Sequence, residues 1–335
     1  MTAFTDAVIA WQKLHGRHDL PWQTKLNQAP DAYSIWVSEI MLQQTQVAAV
    51  IGYYGNFMRR FPNVSALANA SQEEVLQHWS GLGYYSRARN LHNAAQKIIE
   101  EFNGEFPQDF DAILSLPGIG RSTAAAISTF AFNQAMPILD GNVKRVFARY
   151  FLIEGWPSLP NIEKQMWEIA VRENPSKNAI AYTQGLMDLG ATLCTRSRPQ
   201  CSTCPIKNNC LAHLQHKTLL LPTPKPRKAL PERNTTMLIY MNANEVMLEK
   251  RASSGIWGGL WSFPEAATAP NDTQILPKFT HTFTHFKLHI QPVIIKTTKQ
   301  SNSPNTLWIA IDEAIESAIP TPVRKILQSL IKGLK

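Results

Sequence analysis

The chain has few cysteines, and all of them sit together: four in 335 residues, at positions 194, 201, 204 and 210. A scaffold held by disulfides needs cysteines spread along the chain, so that class is excluded. Long apolar runs are also missing. None approaches the ~18 residues that a membrane-crossing helix needs. The first residues, Met1 to Trp11, carry Asp6 and lack the basic start, apolar centre and small-residue cleavage site of a secretory signal. A cytoplasmic protein is therefore expected, associated with the nucleoid in a bacterium. There is no internal repeat and no long low-complexity tract. Apolar residues make up 44% and charged residues 17%, which suits a folded chain with a sizeable core. At this length two domains are expected.

Acidic residues are absent between Asp188 and Glu232. The same stretch holds Arg196, Arg198, Lys207, Lys217, Lys225, Arg227 and Lys228. A segment of one sign can track a phosphate backbone, or can be a solvated basic surface. The cysteines lie inside it, spaced C-x6-C-x2-C-x5-C. Clustered thiols in a reducing compartment read first as metal ligands. Structural zinc with four cysteines uses two well-separated C-x2-C pairs, and only one is present. Four thiolates on one tight loop fit a [4Fe–4S] cluster better, although the spacing differs from the ferredoxin patterns. Zinc remains the alternative. A cluster would pin the loop Thr195–Arg198, a structural duty rather than a redox one.

Residues 5–215 read as almost wholly helical, with apolar positions three and four apart in Ser34–Phe61, Glu73–His78, Leu91–Glu101, Arg121–Phe132, Val143–Phe151 and Ile162–Arg172. Four prolines in the eleven residues Leu221–Pro231 then mark an extended basic linker. From Thr235 the pattern changes to short branched or aromatic runs: Met237–Tyr240, Val246–Leu248, Thr280–Ile290 and Leu307–Ile311 read as strands. A helix over Pro322–Lys332 follows. The expected layout is a helical region over 1–220, a linker over 221–233 and an α+β domain over 234–335.

Two carboxylates are conspicuous by isolation. Glu39 is the one charged residue between Asp31 and Arg59. On a continuous helix it shares a face with Gln43 and Gln46, beside an apolar stripe. Desolvation should raise its pKa and suit it to general-acid work; an ordinary surface glutamate is the plainer reading. Asp140 is the one acid between Asp111 and Glu154. It follows the extended run Met136–Leu139 and precedes a helix start, so backbone N–H groups and the helix dipole should hold it ionised. A plain N-cap is the commoner use. Taken together, one site favouring the proton and one opposing it separate an acid from an anion.

Between the helices over Phe110–Leu116 and Arg121–Phe132 lies Leu116-Pro-Gly-Ile-Gly120. Its glycines, Gly118 and Gly120, permit close backbone approach, and the N–H groups opening the next helix would bind phosphate without reading sequence. Together with Asp140 and the four-cysteine loop, this hairpin resembles the helix–hairpin–helix DNA glycosylases that carry an iron–sulfur cluster. Within them the chain resembles the adenine DNA glycosylases, the MutY family. The resemblance rests on Ser38-Glu-Ile-Met-Leu-Gln-Gln-Thr-Gln-Val47, Gly81-Leu-Gly-Tyr-Tyr85, Ile138-Leu-Asp-Gly-Asn-Val-Lys144, Met187-Asp-Leu-Gly190 and the cysteine loop.

That resemblance implies a glycosylase fold for the helical region and a double-stranded DNA substrate with adenine opposite 8-oxoguanine or guanine. It implies that Glu39 protonates adenine N7, that Asp140 steadies the oxocarbenium ion, and that Cys194, Cys201, Cys204 and Cys210 hold a [4Fe–4S] cluster. Gln44 and Tyr84 match residues that wedge into the base stack, and Gln184 one that lines the adenine pocket. Gly118, Gly120, Ser122, Lys144, Arg196 and Arg198 are the further DNA contacts expected. A monomer is expected. Two positions depart from family variants. Ser122 stands where many relatives have Tyr and where endonuclease III-like lyases have a nucleophilic Lys. A hydroxyl cannot form a Schiff base, so strong lyase chemistry there is excluded. Gln23 stands where many have Arg. The rival readings are an endonuclease III-like pyrimidine-lesion enzyme and a non-catalytic mismatch-binding iron–sulfur protein.

In the second domain, Gly258-Gly-Leu-Trp-Ser-Phe-Pro264 resembles the start of a Nudix domain. A Nudix hydrolase then needs an Arg-Glu-x-x-Glu-Glu helix to hold Mg2+. After Glu265 the next acid is Asp272, so pyrophosphate hydrolysis is not expected. The resemblance instead implies recognition of 8-oxoguanine through Phe283, Thr284 and His285. On one continuous strand His281, His285 and His289 would share a face, but positions four apart lie ~13 Å from each other. One metal ion could not bind all three.

Overall fold

A computed structural model describes residues 2–24, 28–226, 229–270, 273–299 and 301–334. Arg227 and Lys228 of the basic stretch, and Asp272, lie outside them. The chain divides into two compact units: Met1–Ser65 with Asn93–Pro226, and Ala66–His92 with Arg227–Lys335. The division therefore does not follow the linker alone, because a helical segment from the first third of the chain groups with the sheet.

The helices are α1 (Ala3–His15), α2 (Ala32–Leu42), α3 (Val47–Arg60), α4 (Val64–Ala68), α5 (Gln72–Trp79), α6 (Ser86–Phe102), α7 (Phe110–Leu114), α8 (Arg121–Phe132), α9 (Gly141–Tyr150), α10 (Pro160–Glu173) and α11 (Ala179–Asp188). Side-chain caps start many of them. Asp31 accepts from the N–H groups of Tyr33 and Ser34, Asp109 from Ala112 and Asp140 from Val143, each answering a donor the helix cannot satisfy itself. In the first unit, Phe4, Val8, Val143, Phe147, Met166 and Leu186 pack into one core. A side chain on Gly185 would come within 2.9 Å of Val8, so the glycine lets α11 lie close against α1.

The helix expected over Ser34–Phe61 is two helices. It breaks at residues 43–46, where Gln44 takes a left-handed backbone, φ 56°. No Gly or Pro marks the break. Gln43 is drawn instead to the hairpin, where its amide donates to Gly118 O (3.4 Å) and Thr123 Oγ1 (3.3 Å). The face shared by Glu39, Gln43 and Gln46 therefore does not exist.

The second unit is built on an eight-stranded mixed sheet: β1 (Glu232–Asn242), β2 (Glu245–Lys250), β3 (Trp261–Ser262), β4 (Glu265–Ala266), β5 (Gln274–Ile275), β6 (Phe279–Thr282), β7 (Lys287–Lys296) and β8 (Thr306–Ala310). Its spine is the parallel pair β1–β7, in register from Glu232↔Lys287 to Met241↔Lys296. Thr235 to Ile239 are buried without interruption, as a strand covered on both faces should be. Helices α13 (Ile311–Glu316) and α14 (Thr321–Leu334) complete it. The segment Ala66–His92 is tied to this sheet. Glu73 accepts from Trp261 Nε1 (2.5 Å) and pairs with Lys250 (2.7 Å), and Arg89 donates to Gly258 O (2.7 Å).

The strand expected over Thr280–Ile290 is a hairpin. Strands β6 and β7 pair antiparallel from Phe279↔Ile290 to Thr282↔Lys287, across a turn closed by Phe283 N–H to Phe286 O at 2.9 Å. Phe283 stacks on Phe286 with centroids 4.5 Å apart, which fixes the turn that the alternating pattern concealed. The three histidines do not share a face. His289 faces Thr280 across the ladder, His281 lies one position on, and His285 is in the turn.

Candidate active site and cysteine loop

The site in the first unit is assembled from α1, α2, α8, α9 and α11. Glu39, on the last turns of α2, stands at the wall of a cavity of about 620 Å³, within the range of small-molecule sites. Trp22, Ile35, Phe130, Ile180 and Gln184 line the same cavity. Glu39 is half-buried. Burial, and then the charge of Asp140, push its pKa up to about 8. It therefore holds its proton at pH 7.

Asp140 caps α9, with Oδ1 accepting from Val143 N–H (2.7 Å) and its other oxygen facing the Asn142 amide (3.4 Å). Its pKa is raised, contrary to the expectation from its position. Burial outweighs the opposing pull of the Val143 and Asn142 bonds and of the Arg145 guanidinium. The two carboxyls remain distinct. Glu39 has no such donors among its causes of shift, whereas Asp140 has several groups that favour the anion.

Gln184 is buried and donates Nε2–H to Asp188 Oδ1 (2.8 Å). Asp188, fully buried, also receives Arg17 through its backbone N (2.8 Å), Nε (2.7 Å) and Nη2 (2.5 Å). Gln23 braces the same loop, donating to Arg17 O (2.8 Å) and accepting from Leu20 N–H (3.0 Å). The bond to Asp188 fixes the orientation of the Gln184 amide, which keeps its oxygen and its second N–H for a ligand. Sequence reading missed Arg17 and gave Asp188 no role. The available signal was Asp188 itself, the last acid before the basic stretch.

Hairpin residue Gly118 adopts φ 80°, and Gly120 caps α8 with open space at its Cβ. Ser122 turns inward, its hydroxyl accepting from Leu139 N–H at 3.0 Å. Lys144 is paired with Glu163 at 2.6 Å. These two expected DNA contacts are engaged within the protein. Gln44 is exposed, with φ 56°. In the second unit, Tyr84 is exposed too, with φ 49° and the Arg87 guanidinium 5.5 Å from its ring. Left-handed backbone at non-glycine residues costs ~1 kcal/mol and concentrates at functional positions.

The four cysteines line one cavity with Val146, Arg149 and Ile206. Cys194 ends a π-helical turn, Leu189–Leu193, and Cys210 caps a short helix, Leu211–Leu214. Arg149 is buried beneath the loop. It donates to Leu221 O (2.8 Å), Cys194 O (3.2 Å) and Sγ (3.3 Å), Thr195 O (2.7 Å) and Arg196 O (3.0 Å). Arg145 bonds Cys194 O (2.7 Å), Gly190 O (2.6 Å) and Asn142 Oδ1 (2.8 Å). A Cβ on Gly190 would lie 2.5 Å from Asn142 Cβ, so only glycine permits this approach. These struts leave Arg196 and Arg198 exposed at the loop surface. Burial pushes the Cys204 thiol up to about 12, with the other three sulfurs adding to the rise. A bound cation would displace such protons. Among the described residues, no three Cys, His, Asp or Glu side chains converge as ligands of one ion do. The four thiols around this shared cavity are a donor set chemically fit to hold a metal or an iron–sulfur cluster.

Comparison with known proteins decides the family. Residues 37–172 match the model of HhH-GPD superfamily base excision DNA repair proteins, and residues 235–329 match the NUDIX domain model. The adenine DNA glycosylase of Buchnera aphidicola subsp. Acyrthosiphon pisum (strain APS) is 37% identical over 348 residues, covering 99% of this chain and 98% of that protein. The chain belongs to the adenine DNA glycosylase family.

The Homo sapiens adenine DNA glycosylase is 32% identical across 98% of this chain and 74% of its own length. Among solved structures, a thermostable thymine-DNA glycosylase superposes with a TM-score of 0.57 at 28% identity, covering 63% of this chain and 95% of its own. Endonuclease III bound to DNA shares the fold at a TM-score of 0.52 and 21% identity, over 64% of this chain and 94% of that one. The chain is thus a DNA glycosylase with a helical HhH-GPD region and a Nudix-like domain. No helix among the described residues is long and apolar enough to cross a membrane.

In the Nudix-like domain Thr284 and His285 are exposed at the tip of the β6–β7 turn. The Phe283 ring packs against Trp257 (5.3 Å) and His281 (4.6 Å). Among the described residues no helix stands between Glu265 and β5, where a Nudix hydrolase carries its metal-binding carboxylates.

Proposed function

We propose that the chain removes adenine mispaired with 8-oxoguanine, and with guanine, by acid-assisted hydrolysis of the N-glycosidic bond. Glu39 at the cavity wall, its pKa pushed up to about 8 by burial and then by the charge of nearby Asp140, the cap of α9, is the observation that supports this reading. The adenine must leave the duplex to reach them, which the exposed Gln44 and Tyr84 are suited to assist. Glu39 gives its proton to adenine N7 and the C1′–N9 bond breaks with its electrons going to the base. The sugar becomes an oxocarbenium ion facing Asp140. Water adds at C1′ and its proton leaves, yielding an abasic site and free adenine. The oxygen of Gln184 suits the exocyclic amine of adenine.

Ser122 in place of a lysine keeps the enzyme monofunctional, since no amine stands there to trap the sugar. Cys194, Cys201, Cys204 and Cys210 would hold a [4Fe–4S] cluster. Their part is to fix the loop that presents Arg196 and Arg198 to phosphates, with Gly118 and Gly120 binding the backbone through N–H groups. Division of labour follows the expected layout of 1–220, 221–233 and 234–335, acting as a monomer in the cytoplasm. Phe283, Thr284 and His285 read the opposite base.

Two experiments test the accessory parts. Purified protein should contain about four irons per chain and absorb visible light. Cys201→Ser should weaken DNA binding while the base-release step in saturating protein is nearly kept; stoichiometric zinc without iron in anaerobic preparations contradicts the cluster. Thr284→Ala should narrow the preference for 8-oxoguanine over guanine by ~1–3 kcal/mol, the cost of a buried hydrogen bond left unmade. An unchanged ratio places lesion reading elsewhere.

A further inference from the structure

Strands β5, β6 and β7 and helix α14 enclose a groove of about 600 Å³ in the second unit, separate from the β6–β7 turn. Its floor is apolar: Leu276, Phe279, Pro292, Ile294, Ile326 and Leu330. Lys278, Lys296 and Lys325 stand at its rim, all exposed. None of the residues lining it is a carboxylate. Lys325 reaches over the Phe279 ring, 4.7 Å from its centroid, and Lys278 donates to Asn234 Oδ1 at 3.2 Å. Among the described residues neither lysine is matched by an acidic partner there. Beside the groove the sheet ends in the short strand β5, where Ile275 is 64% exposed.

We propose that this groove docks an acidic peptide segment of a partner protein with apolar side chains between its carboxylates. Three exposed lysines around an apolar floor, with no carboxylate in the lining, make the groove complementary to a chain alternating Asp or Glu with large apolar residues. The apolar floor favours a peptide over a nucleic-acid backbone, which would use the lysines and leave the floor uncovered. An extended segment can also add to the edge at β5, so that alternate side chains point into the groove. This role needs nothing from the glycosylase site.

The test uses the full-length protein and a fluorescein-labelled peptide alternating Asp with Leu, Phe and Ile, followed by fluorescence anisotropy at low salt. Saturable binding is expected. It should weaken ~10-fold in the Lys296→Glu/Lys325→Glu variant, and similarly when the peptide's Asp residues become Asn. Adenine release by that variant should match the native enzyme, and its far-UV circular dichroism and thermal unfolding should match too, which shows that the second unit folds. Equal binding of the Asn peptide, or unchanged binding by the variant, overturns the proposal. So does loss of duplex affinity in the variant with peptide binding intact, which would assign the lysines to DNA.

Discussion

Glu39→Gln should bind mismatched duplex as tightly as the native enzyme and release adenine ~10²–10⁴-fold more slowly. The amide is nearly isosteric but has no acidic proton, and adenine is a poor leaving group until N7 is protonated. The same substitution has a second signature in stability. The carboxyl has a pKa of about 8 in the folded chain, against ~4.3 for an ordinary glutamate. The folded state therefore holds a proton that the unfolded state has lost between these values. Stability from this group is full below about 4.3 and is lost as pH rises through about 8, at a rate of at most ~1.4 kcal/mol per pH unit. Glu39→Gln removes that loss, so the variant should unfold at a higher temperature than the native chain at pH 9. At pH 4 the two should be close. A variant that is inactive and also less stable at pH 9 would mean that the glutamate serves the fold.

Asp140→Asn should cut base release by a factor of comparable size, for a different reason. The amide can still accept from Val143 N–H through its oxygen, so the cap of α9 is largely kept. What disappears is the negative charge facing the oxocarbenium ion. Because the site is desolvated, that charge is worth more than it would be in water. The two carboxyls also set the pH profile. The native rate should fall above about pH 8 as Glu39 loses its proton. It should fall on the acid side above the usual aspartate range, since burial raises Asp140. Asp140→Asn should remove the acid limb and leave the alkaline one. It should also shift the alkaline limb downward, because the Asp140 charge is one of the causes that raise Glu39.

The sequence made the helical region readable because its apolar positions recur three and four apart, and α8 falls on the residues expected. Isolation among uncharged neighbours singled out Glu39, and isolation from other acids singled out Asp140. What stayed hidden depends on tertiary contacts. No Gly or Pro announces the turn after Leu42, which Thr45 N–H closes onto Leu42 O while the Gln43 amide reaches the hairpin eighty residues on. The β6–β7 turn has no Gly or Pro, and only the Phe283–Phe286 stack and the parallel spine reveal it. Asp140 was expected to be stabilised as an anion, but burial is the larger influence, and burial is not legible in a sequence. Arg145 and Arg149 carry no signal in the sequence, yet they serve as struts under the cysteine loop.

Single-turnover base release from three duplexes bears most directly on the account: adenine opposite 8-oxoguanine, adenine opposite guanine, and thymine glycol opposite adenine. The expected result is free adenine from the first two, faster from the first, with an intact abasic strand that breaks only on alkaline treatment. The third duplex should stay whole. Release of thymine glycol with strand cleavage, or binding to all three without release of any base, would contradict it.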